Sequence, residues 1–346
     1  MDSVTQAALG AALGGAIAGR VLGRKALLTG ALLGTLPDMD VVIDYGNAVA
    51  NFSQHRGFSH SLFVLVPLGF LLAWAGRRWQ SQMSWQRWLA LTLTVLITHP
   101  LLDCLTTYGT QLFWPFGGPI ALTSIFIIDP LYTLPLLLTI LVALWRPRQP
   151  QALVVGLVVS TAYLGWSLVA QQLINDRVTP ALAAQGAAEA PRMVQPMPLT
   201  TLLWRVTVMT DTERLEIVTG FLDDEDIPLN IERFPRNPEL AAAAAGLEAG
   251  RRLIWFTDGF LAYHRFGDQL AVTDIRLGVP GAHPFTFVIA ETGAGSSEWQ
   301  PVASYKTDRP AMRPGLFKAL WQRITGASPV LCLATLETGP VGMSCS

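Results

Sequence analysis

The sequence predicts an all-α multi-pass membrane helical domain followed by a C-terminal soluble α+β domain. Three observations predict it: the overall composition, a series of apolar segments in the first half, and an alternating apolar and polar pattern in the second. The 346 residues are 51% apolar and only 14% charged, with a mean hydropathy of +0.39. That is too hydrophobic for an ordinary soluble enzyme and long enough for two domains. The net charge of −1 comes without any basic stripe, which excludes a nucleic-acid-binding footprint.

Six apolar segments can be drawn, at about 4–19, 26–36, 61–75, 88–104, 125–145 and 152–173. The last two have spanning length. The first two are short and rich in Gly and Ala, with Gly10/Gly14, Gly15/Gly19 and Gly30/Gly34 at four-residue spacing, which suits close helix packing in a bundle or in half-spans. If all six cross, basic residues alternate between connections: Arg20, Arg24 and Lys25 in the first, Arg77, Arg78 and Arg87 in the third, Arg146 and Arg148 in the fifth. The positive-inside rule then places residues 37–60, 105–124 and everything after 175 on the outer side of the membrane. The start lacks a basic leader region, so the N-terminus is expected to be retained. Trp74, Trp79, Trp85, Trp88 and Trp145 lie near segment ends, as in an interfacial belt.

The predicted organisation is a helical, metal-binding domain over 1–175, a linker over 176–198 rich in Ala, Gln and Pro, and an extracytoplasmic α+β domain over 199–346. Strands are expected at 202–208, 214–218, 253–256, 269–275 and 284–289, with a hairpin turn at Gly267-Asp268. Helices are expected at 237–252 and about 314–324. Three cysteines are too few for a disulfide framework or thiolate site, although Cys332 and Cys345 could pair in an oxidising compartment.

The chemistry concentrates in the apolar half. Asp38 and Asp40 follow Pro37, His55 and His60 flank Arg56-Gly57-Phe58-Ser59, and His99 and Asp103 are four residues apart. On a helix the last two share one face and can share one ion. Ionisable groups beside bilayer-length apolar segments are costly and usually functional. The mixture of imidazole and carboxylate points to a divalent metal, zinc or manganese, since no thiolate contributes. With Asp129 the candidate ligands are seven (Asp38, Asp40, His55, His60, His99, Asp103, Asp129), a number that suits two ions. Such a site would activate water toward a phosphoryl or carbonyl centre, with Arg56 offsetting oxyanion charge and His55 as the other catalytic candidate. Ser59 is an alternative nucleophile that lacks an evident group to orient its base.

Structural readings stand beside these. His99 and Asp103 could be a buried pair fixing helix packing, Asp38 and Asp40 an interfacial turn, and Arg56 a side chain snorkelling to lipid head groups. Asp129 precedes Pro130, the pattern of an N-cap with proline at the first helical position. His264 and His283 read as structural.

The motifs Met1-Asp2-Ser3-Val4-Thr5-Gln6, Gly34-Thr35-Leu36-Pro37-Asp38-Met39-Asp40, His55-Arg56-Gly57-Phe58-Ser59-His60-Ser61, Thr98-His99-Pro100-Leu101-Leu102-Asp103, Tyr108-Gly109-Thr110 and Ile128-Asp129-Pro130-Leu131-Tyr132 resemble the YdjM-like family of bacterial inner-membrane proteins over residues 1–175. The resemblance implies a metal-dependent hydrolase, distantly related to zinc-dependent phospholipase C and P1-type nucleases. It also implies Asp38 or Asp40, His60, His99 and Asp103 as metal ligands, while Gln6 stands where shorter relatives often carry His. The expected activity is hydrolysis of a phosphoester or lipid-linked substrate, with membrane lipids as partners. The alternatives are a noncatalytic membrane protein with a structural metal and a partner-binding or stress-sensing domain, or a transporter using the Asp and His residues as an ion path.

Overall fold

The first two apolar segments fold into α1 (Ser3–Leu22) and α2 (Arg24–Thr35). Asp2 caps α1 by accepting from the backbone N–H groups of Val4 and Thr5. Gly23, at φ +58°, turns the chain directly into α2. The glycine pairs allow the two helices to touch backbone to backbone, because a Cβ on Gly10 or Gly30 would collide with the carbonyl oxygen of the other. The computed structural model describes residues 1–146, 148–224, 226–293, 298–308, 315–326 and 331–333.

After α2 come a 3-10 helix (Pro37–Val42), the short α3 (Ala48–Gln54), a second 3-10 turn (Phe58–His60), α4 (Leu62–Trp79) and α5 (Trp85–Cys104). A Cβ on Gly69 would press on Leu93, and one on Gly76 would meet the indole of Trp88, so these glycines let α5 side chains pack onto the α4 backbone. An irregular stretch holding the bridge Thr110↔Ile120 leads to α6 (Pro130–Trp145) and the long α7 (Gln151–Ala184). The core of this half gathers Leu9, Ala12, Leu27, Leu102, Ile125, Leu136 and Leu153.

The expectation of an all-α multi-pass membrane domain is corrected here. Among the described residues two helices, α4 and α7, are long and apolar enough to cross a bilayer, and α6 is a shorter apolar helix. At 12 residues α2 reaches about 18 Å, short of the roughly 30 Å hydrocarbon layer. On α5 the buried face includes Thr92, His99 and Asp103, so its polar groups face the interior of the fold. The expected fifth segment loses residues 125–129 to irregular chain, because Asp129 and Pro130 start the helix.

The second half forms two antiparallel four-stranded sheets, each in sequential order, which fits the α+β expectation for this part. The first holds β1 (Arg192–Pro196), β2 (Leu203–Met209), β3 (Glu213–Gly220) and β4 (Ile231–Pro235). The second holds β5 (Leu261–Phe266), β6 (Gln269–Asp274), β7 (Thr286–Thr292) and β8 (Trp299–Lys306). Phe266 pairs with Gln269 across the expected Gly267-Asp268 turn, with Gly267 at φ +63°. Between the sheets in sequence lie α8 (Pro238–Gly246) and α9 (Glu248–Thr257), and α10 (Leu316–Ile324) follows β8. The apolar run 253–256, expected as a strand, is the last part of α9. The stretch expected as linker holds the end of α7 and all of β1.

Arg205 and Glu216 form a fully buried pair through two hydrogen bonds of 2.6 and 2.8 Å, and Arg205 also donates to the carbonyls of Ile275 and Gly278. Arg214 shares the same carboxylate, its Nε 3.2 Å from Glu216 Oε1, and buried charges of this kind require such partners. Cys332 is disulfide-bonded, and its expected partner Cys345 lies outside the described residues. The chain divides into two units, one of residues 1–43, 54–170 and 198–200, the other of 44–53, 171–197 and 201–346. Most of α3 therefore belongs with the sheets. Phe52 packs its ring on Phe256, Phe285 and Phe287 at 4.8–5.1 Å, and Ser304 accepts from the backbone N–H of Val49.

Candidate metal centre

Each local element presents one or two polar side chains inward. Pro37 opens the 3-10 helix that carries Asp38 and Asp40. His60 ends the second 3-10 turn, immediately before Ser61 caps α4. His99 and Asp103 lie one turn apart on α5.

Four of these converge. One ligand atom each from Asp38, His60, His99 and Asp103 lies within 4.8 Å of all the others. His60 Nε2 is 3.3 Å from both Asp38 Oδ1 and Asp103 Oδ2. His99 Nε2 is 3.4 and 3.3 Å from the same two oxygens and 3.1 Å from His60 Nε2. His60, His99 and Asp103 are sealed from solvent, and Asp38 keeps 17% of its side chain exposed, so access is from the Asp38 side.

The hydrogen bonds behind the cluster fix which atoms face inward. His99 Nδ1 lies 2.6 Å from the carbonyl oxygen of Gly34, an acceptor only, so Nδ1 carries the proton and Nε2 a lone pair. His60 Nδ1 lies 2.8 Å from Ser59 Oγ, which itself donates to Asp40 Oδ2 at 2.6 Å; the relay turns the Nε2 lone pair of His60 inward too. Asp38 Oδ1 and Asp103 Oδ2 are buried with no hydrogen-bond donor. Four electron-pair donors thus face one another without a proton to share, an arrangement a cation resolves. A tetrahedral ion bonded at 2.0–2.1 Å sets its donors about 3.3–3.4 Å apart, close to the four His–Asp separations and the His60–His99 separation, with the Asp38 and Asp103 oxygens within 4.8 Å of each other. The residues fit a divalent metal.

Asp103 divides its two oxygens between tasks. Oδ1 pairs with the buried ammonium of Met1 and with Arg56 Nη2 at 3.3 Å, which leaves Oδ2 for the cluster. Arg56 adopts φ +61°, a conformation that costs a non-glycine residue energy. It is held by its N–H to Asp40 Oδ2 and its carbonyl to Gln111 N, both at 3.0 Å. Its guanidinium is buried 5.2 Å from the Tyr108 ring, with Nε unpartnered.

The other sequence candidates stand apart from the cluster. Asp40 pairs with His55 Nδ1 at 2.8 Å. Burial opposes ionisation of Asp40, but the hydrogen bonds from His55, Ser59 and the Arg56 N–H outweigh it and hold the carboxyl below its usual range. The His55 side chain is 27% exposed, and its ring centroid is 6.2 Å from that of His60. Asp129 caps α6 through the N–H groups of Leu131 and Tyr132 and accepts from the Tyr163 hydroxyl. Sequence reasoning left out the orienting Ser59 hydroxyl and Gly34 carbonyl. The Ser-His dipeptide was a usable signal for the first, whereas a backbone carbonyl leaves none. Gln6 is buried and donates to the His99 carbonyl, with its Oε1 unpartnered.

Comparison with known proteins gives a family match over residues 1–174, described as YdjM inner membrane protein. The chain is 37% identical over 112 residues to the inner membrane protein YbcI of Escherichia coli strain K12, covering 32% of this chain and 64% of that one. It is 29% identical over 113 residues to the uncharacterized protein YfhP of Bacillus subtilis strain 168, covering 30% and 33%. The chain thus spans less than two thirds of the length of either relative. No solved structure matches.

Proposed function

The chain belongs to the YdjM family of inner membrane proteins, and from that premise we propose that it is a membrane-bound metal-dependent hydrolase acting on a phosphoester or lipid-linked substrate. The observation that carries the reading is the set of four inward-facing lone pairs on Asp38, His60, His99 and Asp103 with no donor among them. These four residues would hold the ion. The N/O donor set and the His–Asp separations of 3.3–3.4 Å favour zinc, with manganese the alternative. When bound, such an ion supplies Lewis acidity and lowers the pKa of water.

The chain's own groups complete the chemistry. Arg56 places a fixed positive charge behind Asp103, on its Oδ1 side, where it balances the carboxylate and adds positive potential to a site that would bind an anionic ester. Asp40 holds Nδ1 of His55, so Nε2 of the partly exposed ring is free to take or give a proton. The disulfide at Cys332 supports placing the C-terminal unit outside the reducing cytoplasm.

A second reading, a structural metal in a noncatalytic membrane protein, draws on the burial of three of the four ligands, since closed sites are the structural ones. Metal analysis of the purified chain beside His99→Ala and Asp103→Asn, with a phosphoester turnover screen, separates the two. The hydrolase reading expects one equivalent of metal, lost in His99→Ala, and turnover lost in an Asp103→Asn chain that still folds, at a lower melting temperature because Met1 and Arg56 lose their buried counter-charge. A parent that stays metal-free after loading refutes both readings. Metal removal that unfolds a chain without turnover supports the second.

A further inference from the structure

Two exposed apolar features adjoin the chain segments that supply Asp38 and His60. Between Lys25 and Asp38 the sequence carries no charge. Along it Leu28 and Leu32 are each 62% exposed, four residues apart on one side of α2. The same apolar edge continues into the 3-10 helix, where Met39 and Val42 stand outward at 56% and 75% exposure while Asp40 between them is buried. The second feature is the edge-to-face pair of Phe63 and Phe116, 5.7 Å apart and 57% and 83% exposed. Phe63 is in the first turn of α4. The 112–116 segment is fastened there by Leu62 N–H to the Leu112 carbonyl and by the Ser61 hydroxyl to the Trp114 carbonyl.

Apolar side chains exposed to this degree in a contiguous run mark a surface that is covered in use. What covers this one follows from continuity. The Phe63–Phe116 pair extends the outward face of α4, a helix long and apolar enough to cross a bilayer, in a chain of an inner-membrane family. If α4 crosses the bilayer, acyl chains meet the exposed Phe70, Leu71 and Trp74 just beyond it. We infer that the α2–Val42 edge and the Phe63–Phe116 pair are a lipid-contact surface, so that the metal centre receives a membrane-borne ester from the acyl-chain side and not a soluble one from water. The substrate class rests on the hydrolase reading; the lipid contact stands without it.

The test labels Val42→Cys and Phe116→Cys with an environment-sensitive fluorophore in the full chain, reconstituted in phosphatidylethanolamine/phosphatidylglycerol nanodiscs. Phe70→Cys on α4 is the lipid-facing reference, and the unsubstituted chain, with Cys104 buried and Cys332 in a disulfide, gives the background. Spin-labelled lipid is expected to quench both sites as strongly as the reference, and aqueous iodide to quench neither. Iodide quenching at both sites overturns the inference. Shielding from both quenchers also overturns it, because a protein partner or second copy then covers the surface. Zinc content of the same discs is read independently: lipid contact in a chain that never binds zinc keeps the surface and removes the hydrolase reading.

Discussion

Replacing Ser59 by Ala removes one hydroxyl and tests the logic of the centre. That hydroxyl is the acceptor for His60 Nδ1 and a donor to Asp40 Oδ2. Asp40 keeps its bonds from His55 and the Arg56 N–H, so the loss falls on the orientation and tautomer of His60. Outer hydrogen-bond partners of metal-ligating histidines are worth about 10–100-fold in affinity, or roughly 1.4–2.7 kcal/mol. An independent route gives the same range: with metal on Nε2 the Nδ1–H is a buried donor left without an acceptor, which costs about 1–3 kcal/mol, whereas the metal-free ring escapes this by carrying its proton on Nε2, 3.3 Å from Asp38 and Asp103. Competition with a fluorescent zinc chelator on the detergent-solubilised chain should therefore show weakening of one to two orders of magnitude, with metal-free thermal stability nearly unchanged. Parental zinc affinity in Ser59→Ala would refute the relay. A lower metal-free melting temperature with unaltered affinity would reduce Ser59 to a packing element.

Two further outcomes concern the C-terminal unit. Burial, reinforced by the charge of Arg205, pushes the imidazole of His283 down to about 3 from 6.5, so it stays neutral when folded. The unfolded chain binds a proton below 6.5 that the folded chain refuses, so stability is lost as pH falls from 6.5 toward 3, by at most about 1.4 kcal/mol per pH unit. His283→Leu should flatten that slope in pH-dependent melting, and an unchanged slope would exclude His283 as its source. Phe52→Ala should destabilise the C-terminal unit by about 3–5 kcal/mol, seen as faster limited proteolysis between residues 252 and 306; an unchanged cleavage pattern would show that α3 adds nothing to it.

The legibility of the chain depended on whether chemistry was local. The four-residue spacing of His99 and Asp103 announced a shared helix face, and Asp129 before Pro130 carried the mark of a helix cap; the structure has both. Spacing alone did not tell which of the seven candidates would meet, because that depends on how two 3-10 turns seat against α5; the family resemblance had narrowed them to Asp38 or Asp40 with His60, His99 and Asp103. The run Leu253 to Phe256 reads equally as a strand or a helix end, and the polar residues that make α9 amphipathic lie upstream of it. The membrane domain misled for a related reason. Hydropathy counts apolar residues without distinguishing those that face lipid from the Gly and Ala that let α1 and α2 touch.

The placement of residues 44–53 among the sheets has a consequence for how the protein is made and handled. This segment leaves the ribosome about 250 residues before Ser304, its hydrogen-bond partner, which at 5–20 residues per second is a wait of roughly 10–50 s. For about the first four fifths of that interval, until Phe256 emerges, Phe52 has none of its aromatic neighbours. Any fusion or truncation that stops near residue 176 makes the wait permanent. Orientation reporters are therefore better inserted into the full chain, and an isolated sheet fragment beginning at 171 should be supplied with a peptide covering 44–53.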